Sequence, residues 1–132
     1  MIGVSHIAIS GLRSASQRLQ AVSQNLAVSN VQSKLIGASG TYDGPKSVDA
    51  LSQSTKTGGV KTQLVSRNPG YVRAYEPQSP QSDEQGYVGM PQVDVPTEMM
   101  RMKQAEHAYK SAASLIKVDN ELHDSLMRAL ED

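Results

Sequence analysis

The stretch SHIAISGLRSASQRLQAVSQNLAVS, residues 5–29, decides the fold. Within it Ala8, Leu12, Ala15, Leu19, Val22 and Leu26 are spaced 4, 3, 4, 3 and 4 residues apart. That is an a/d seam, an apolar line along one face of a helix. Arg13, Gln17, Arg18, Gln20 and Gln24 fall off the line. Gly11 costs about 1 kcal/mol against alanine in such a position, and Asn30 is placed to close the helix in the left-handed conformation. The spacing predicts a helix over residues 5–29 that needs an apolar partner.

The other end of the chain offers one. Met102, Ala105, Tyr109, Ala112 and Ile116 are spaced 3, 4, 3 and 4, after which the line slips to Leu115, Val118, Leu122, Leu126 and Ala129. The slip contains a four-residue step of the kind that unwinds a coiled coil locally. Pro96 suits a first helical turn, and Glu106 with Lys110 and Asp124 with Arg128 are expected i,i+4 ion pairs. A helix over residues 96–130 follows, roughly 50 Å long at 1.5 Å per residue. The two helices are expected to pair as a coiled-coil-like hairpin, leaving Ile7, Ile9, Met99 and Leu130 for other partners.

Between them lies a segment of different character. All six prolines fall between Pro45 and Pro96, and eight of the ten glycines between Gly37 and Gly89. Residues 31–95 therefore read as an extended Pro/Gly-rich insert. Val60, Thr62 and Leu64 alternate with polar residues, and Tyr71-Val72-Arg73-Ala74-Tyr75 is β-prone. With Asn68-Pro69-Gly70 as a turn between them, a β-hairpin is expected there. Residues 76–80 and Met90-Pro91 are expected to be extended, since a residue before proline avoids the helical region. Residues 37–58 read as a loop. The fold class is mainly α with a small β part, in one rod-type domain of residues 1–132: helix 1–30, insert 31–95, helix 96–132.

Composition excludes several function classes. The 132 residues include no Phe, Trp or Cys. Large aromatics supply much of a compact core, so this chain builds a thin one and neighbours complete it. Thirteen basic and thirteen acidic residues cancel, leaving no footprint for nucleic acid. The charge is unevenly placed, however: residues 1–30 stand at +2 and residues 94–132 at −3, which favours pairing of the two ends. No stretch reads as a membrane span, so no membrane insertion is expected, and the N-terminus lacks the basic and apolar regions of a cleaved signal. His6, His107 and His123 share no helix face at ligand spacing, so no metal is expected and the histidines read as surface or interface residues. No nucleophile elbow or phosphate-loop fingerprint is present. Gly58-Gly59 reads as a turn before a strand, and Met99, Met100 and Met102 as gap-filling interface residues. No cofactor and no catalytic residue are expected.

Helix, Pro/Gly-rich insert and helix, with Gly58-Gly59-Val60-Lys61, Tyr75-Glu76-Pro77-Gln78-Ser79-Pro80 and Gly86-Tyr87-Val88-Gly89-Met90-Pro91-Gln92-Val93-Asp94-Val95, resemble the FlgC-type proximal-rod family of bacterial flagellar axial proteins. Glu98-Met99-Met100 followed by Tyr109 resembles it too, and Gln24-Asn25-Leu26-Ala27-Val28-Ser29-Asn30 is similar to the Asn-Leu-Ala-Asn motif of rod and hook proteins. Gln92 stands where the family usually has Asn, and Val28-Ser29 loosen the N-terminal motif. The resemblance covers essentially the whole chain. It implies a structural subunit of the flagellar basal body, in the part of the rod that crosses the periplasm. Its partners are then copies of itself, other rod proteins, the membrane ring with its rod adaptor, and the type III export apparatus, which would pass it without signal cleavage. Leu12, Leu19, Val22, Leu26, Met102, Tyr109, Ile116, Leu122 and Leu126 are the expected subunit-interface residues of the helices, and Tyr71, Tyr75 and Tyr87 those of the insert. The alternative is a small coiled-coil adaptor or chaperone-like binding protein, which needs a much shorter connector.

Overall fold

A computed structural model describes residues 2–36 and 40–131. It contains two long helices, α1 (Ile2–Val28) and α2 (Val95–Glu131). Between them lie six strands: β1 (Leu35–Ile36), β2 (Thr41–Tyr42), β3 (Val48–Ser54), β4 (Val60–Ser66), β5 (Tyr71–Tyr75) and β6 (Tyr87–Pro91). The strands form three separate two-stranded antiparallel sheets, β1 with β2, β3 with β4, and β5 with β6.

The helices end where local chemistry stops them. Asp94 caps α2: its carboxylate accepts from the Thr97 N–H at 3.3 Å and from the Thr97 hydroxyl, and its carbonyl accepts from Glu98 N at 2.9 Å. Such a cap satisfies donors that the first turn would otherwise leave open. At the end of α1, Ser29 Oγ donates back to the Leu26 carbonyl at 2.8 Å and Val31 N to the Val28 carbonyl at 2.9 Å. Asn30 does not take the expected left-handed conformation, because among the described residues only glycines have positive φ; this side-chain and backbone turn replaces it.

α1 and α2 run antiparallel against each other. Ser5 donates to Asp119 near one end, Gly11 lies against Ala112 further along, and Arg18, Ala21 and Val22 border a recess shared with Arg101, Gln104 and Ala105. Residue numbers facing each other sum to about 123 throughout, so α1 covers α2 only as far as about residue 120, and the last turns of α2 project beyond it. Within α2, Glu106 pairs with Lys110 at 2.7 Å as expected. Asp124 and Arg128 do not pair, and the further i,i+4 bridge is Lys117 with Glu121 at 3.7 Å.

The insert departs from expectation in three ways. The expected hairpin of residues 60–64 with 71–75 is absent: β4 pairs with β3 in full register from Val48↔Ser66 to Ser54↔Val60, and β5 pairs with β6 from Tyr71↔Pro91 to Tyr75↔Tyr87. Asn68-Pro69-Gly70 is a bend between two hairpins, with a cis peptide at Pro69. Residues 48–54 are a strand rather than a loop; residues 37–39 of that expected loop lie outside the described residues. Residues 77–81 turn instead of running extended, closed by Ser79 N to the Glu76 carbonyl at 3.0 Å, whereas Met90-Pro91 is extended in β6.

The core is narrow. Its buried apolar residues include Ala8, Ala15, Ala21, Val22, Ala105 and Ala112 between the helices, and Leu35, Tyr42 and Val88 in the insert. The chain exposes 9173 Å², against about 6800 Å² for a compact monomer of 14.2 kDa by surface–mass scaling. An elongated chain with a thin core is what the missing large aromatics predict.

Candidate subunit-interface surfaces

α1 carries two working faces. The apolar seam meets α2. A second line, Ser10, Ser14, Arg18 and Asn25, meets the β3–β4 hairpin through hydrogen bonds. The buried Asn25 holds both backbone groups of Val48, donating Nδ2 to its carbonyl and accepting its N–H at Oδ1, each at 2.8 Å. It thus substitutes for a neighbouring strand at the open edge of β3. Thr62 donates to Ser14 at 2.7 Å, Ser52 lies 2.9 Å from Thr62, and Arg18 donates to Ser52 at 3.1 Å. At the other end Ser10 Oγ accepts from Val60 N at 3.1 Å on the open edge of β4. α1 therefore crosses the hairpin from the Val48 end to the Val60 end. Gly58 and Gly59, both at positive φ, bring the turn against it, and a Cβ on Gly59 would strike Ser10.

The hairpin is held to α2 by an ion cluster. Arg67 donates to both Asp49 oxygens at 3.0 and 2.7 Å and to Glu98 at 3.0 Å. Arg101 reaches Asp49 and Glu98 at 3.2 Å each. Glu98 is only 2% exposed, and a charge so deep is tolerated because two guanidinium groups meet it. The Arg67 hydrogen bond, above all, holds the Asp49 carboxyl below its ordinary range, and the same bond raises Arg67.

In the far part of the insert the tyrosines pack on one another. Tyr42 stacks on Tyr71 with centroids 4.8 Å apart, Tyr87 meets Tyr75 edge-on at 5.3 Å, and Arg73 lies 4.9 Å from the centre of the Tyr87 ring. Gly89 leaves room for the Tyr42 ring, and Ser33 bridges to Gly89 with N–H···O distances of 2.9 and 3.0 Å. Burial pushes the Tyr42 hydroxyl pKa up.

The expected interface residues divide accordingly. Val22 is buried, and Leu12, Leu19, Leu26, Met102 and Ile116 are half-buried along the seam. Tyr71 and Tyr87 are half-buried in the insert's own packing, leaving Tyr75 as the open member, 65% exposed. Tyr109 is exposed, and Leu122 and Leu126 lie on the projecting end of α2, Leu122 at 56%. Met127 and Leu130 are exposed there too, Leu115 and Val118 are exposed just before it, and Val4, Ile7 and Ile9 on α1 and Met99 and Met100 on α2 are also open. Sequence reasoning missed the α1 polar line and the Arg67 cluster. The signal for the first was the spacing of Ser10, Ser14 and Arg18 at four-residue intervals. No local pattern announces the second: apart from the i,i+3 pair of Glu98 and Arg101, its contacts join residues 18 to 52 apart.

No helix among the described residues is long and apolar enough to cross a membrane. Residues 84–129 match the family described as flagellar basal body rod FlgEFG protein, C-terminal. The chain is 33% identical to the flagellar basal-body rod protein FlgC of Salmonella typhimurium, with 98% of this chain and 96% of that one covered. It is 35% identical to FlgC of Escherichia coli O6:H1 over 88% and 87% of the two chains, and 31% identical to FlgC of Yersinia enterocolitica over 92% of each.

Proposed function

Because the chain belongs to the FlgC family of flagellar basal-body rod proteins, we propose that it is a structural subunit of the proximal rod, built into a torque-carrying shaft beside copies of itself and other rod proteins. It is not an enzyme: the family is structural. The observation that carries the reading is the split of its apolar surface. Small residues are buried between the helices, while Leu115, Val118, Leu122, Leu126 and Leu130 stand open on one end of α2. A contiguous open apolar stripe marks a protein-interaction surface.

In this reading residues 1–132 act as one rod-type unit. α1 and α2 pair in coiled-coil fashion in the inner wall of the tube. Leu12, Leu19, Val22, Leu26, Met102, Tyr109, Ile116, Leu122 and Leu126 pack within and between subunits there. The insert lies outside and clasps neighbours through Tyr75, with Tyr71 and Tyr87 supporting it. The membrane ring and its rod adaptor bind at the base, and the export apparatus passes the chain unfolded without signal cleavage. Deleting residues 71–90, which removes most of the β5–β6 hairpin, is expected to leave the chain in the culture supernatant but absent from basal bodies. Immunoblots of the two fractions check this. Normal hooks and filaments built on the deletion variant would show the insert to be dispensable.

A further inference from the structure

The β5–β6 sheet has one closed edge and one open edge. In an antiparallel pair, residues alternately turn both backbone groups toward the partner strand and both away from it. The phase is set at the two ends, where Gln92 N donates to the Gly70 carbonyl at 3.0 Å and Glu76 N to the Gly86 carbonyl at 2.9 Å. With the register running from Tyr71↔Pro91 to Tyr75↔Tyr87, Val72 and Ala74 face β6. Tyr71, Arg73 and Tyr75 therefore turn their N–H and C=O groups outward. On β6 every outward group is met. Tyr87 N donates to the Asp83 carboxylate, and the Tyr87 carbonyl accepts from Asp83 N, each at 2.8 Å. Gly89 exchanges both bonds with Ser33, and Pro91, which has no N–H, accepts from Val93 N at 2.9 Å. On β5, among the described residues, no hydrogen bond reaches the outward groups of Tyr71, Arg73 and Tyr75. An open edge is a template for another strand, and folds that do not use one cover it. Here β6 is sealed and β5 is left bare.

We propose that the open edge of β5 takes, by strand addition, a five-residue extended segment of a neighbouring rod subunit. The unmet groups recur at every second residue, so they fit an extended backbone and not a helix. Gly70, at positive φ, ends the edge on one side and Pro77 follows it on the other, leaving five residues or about 17 Å. The central side chain, Arg73, is half-exposed, and its acidic contact is the long 3.5 Å bridge to Asp83. The residue opposite it in the added strand shares its face, so that residue carries a carboxylate. Val72, also open, takes an apolar side chain beside it. A second β5 does not fit: pairing two copies over all three outward residues sets Arg73 against Arg73, and like charges directly opposite destabilise a sheet. The backbone bonds supply affinity, and the alternating side chains supply selection. This inference rests on the rod reading and names what the insert grips with: the backbone of β5, not the Tyr75 ring alone.

The test is residue-resolved hydrogen exchange on the purified full chain and on basal bodies. In the free chain the Val72 and Ala74 amides should be protected and those of Arg73 and Tyr75 should exchange freely. In basal bodies the Arg73 and Tyr75 amides should gain protection of about a hundredfold. Basal bodies that hold the chain with the Arg73 amide still unprotected overturn this proposal and leave the rod reading standing. Absence of the unaltered chain from basal bodies overturns both. Two variants separate backbone from side chain. Arg73→Ala removes the side chain and keeps the outward N–H. Arg73→Pro removes that N–H as well and sets a ring in the path of the added strand, while breaking no bond within the sheet. Arg73→Ala should keep at least half of the wild-type swimming halo. Arg73→Pro should melt as Arg73→Ala does and form no halo. Equal halos overturn the proposal, because the outward N–H then carries nothing. If Arg73→Pro melts earlier than Arg73→Ala, the exchange measurement on the unaltered chain decides.

Discussion

The covered and the projecting halves of α2 bury their side chains in the reverse of the usual order. Under α1, the residues that vanish from solvent are Ala105, at 1% exposure, and Ala112. Past the end of α1, leucines stay open, Leu130 at 82%. Leucine ordinarily buries more readily than alanine and gains more by it. A monomer selected to be stable alone would place its leucines under α1. Here close helix approach takes the small residues, and the large ones are left for a surface outside the chain. The slip in the heptad line falls where cover ends: the line facing α1 stops at Ile116, and the displaced line takes over on the uncovered end.

The largest expected effect strikes the sealed half from outside the helices. Arg67→Met removes the guanidinium that joins Asp49 to Glu98. Arg101 still reaches Glu98 at 3.2 Å, but from a half-exposed position. Stranding a buried charge costs about 3 kcal/mol. Hydrogen exchange should show the β3–β4 amides losing roughly two orders of magnitude of protection. If the loss extends no further than a surface mutant's, the cluster is ornamental. Acid provides a milder version. The Asp49 carboxyl is depressed by Arg67. Its contribution is therefore present above the unfolded-state pKa, near 4, and is lost as pH falls through the lower folded value. The same amides should lose protection on acidification in the wild type and not in Arg67→Met.

Next in size is Ala105→Leu. The added carbons have no room between α1 and α2, and overpacking costs about 2 kcal/mol. Thermal unfolding followed by helical circular dichroism should detect it. Gly11→Ala tests the same contact with the opposite sign. A methyl at Gly11 would stand 3.8 Å from the Ala112 Cβ, an ordinary contact. The gain in helix propensity should then raise stability by about 0.5–1 kcal/mol. A lower melting temperature would mean that the helices sit closer than the structure has them.

How much of this was legible in the sequence follows from where each element gets its stability. α1 and α2 are specified by their own periodicity, so both appear within a few residues of their expected limits. β5 carries β-branched and aromatic residues and was visible too, but its partner was not, because Tyr87-Val88 lies beyond the turns of residues 77–86. β3 was invisible. Its sequence, Val-Asp-Ala-Leu-Ser-Gln-Ser, has a single β-branched residue, and it is a strand because Asn25, Ser14 and β4 hold it there. Exposed Ile7, Ile9, Met99 and Leu130 were legible as leftovers of two narrow seams. The Arg67 cluster needed the three-dimensional chain.

The smallest expected effect on the isolated chain is the most informative about the assembly. Leu122 is more than half exposed and lies past the cover of α1, so Leu122→Ser removes little packing from the monomer. Surface changes of this kind stay within about 0.5 kcal/mol, and the melting curve should be indistinguishable from wild type. If the projecting half is kept apolar for a neighbouring subunit, the same change should stop swimming while the protein is still made and exported. Leu19→Ser is the matched control on the covered side: half-buried on the seam, it should weaken both the isolated chain and the assembly. Two measurements on each variant, a melting temperature and a swimming halo, therefore separate the halves. Loss of both properties in Leu122→Ser would show that the end of α2 is folded against its own chain. Loss of neither would leave its leucines without a partner and end the comparison.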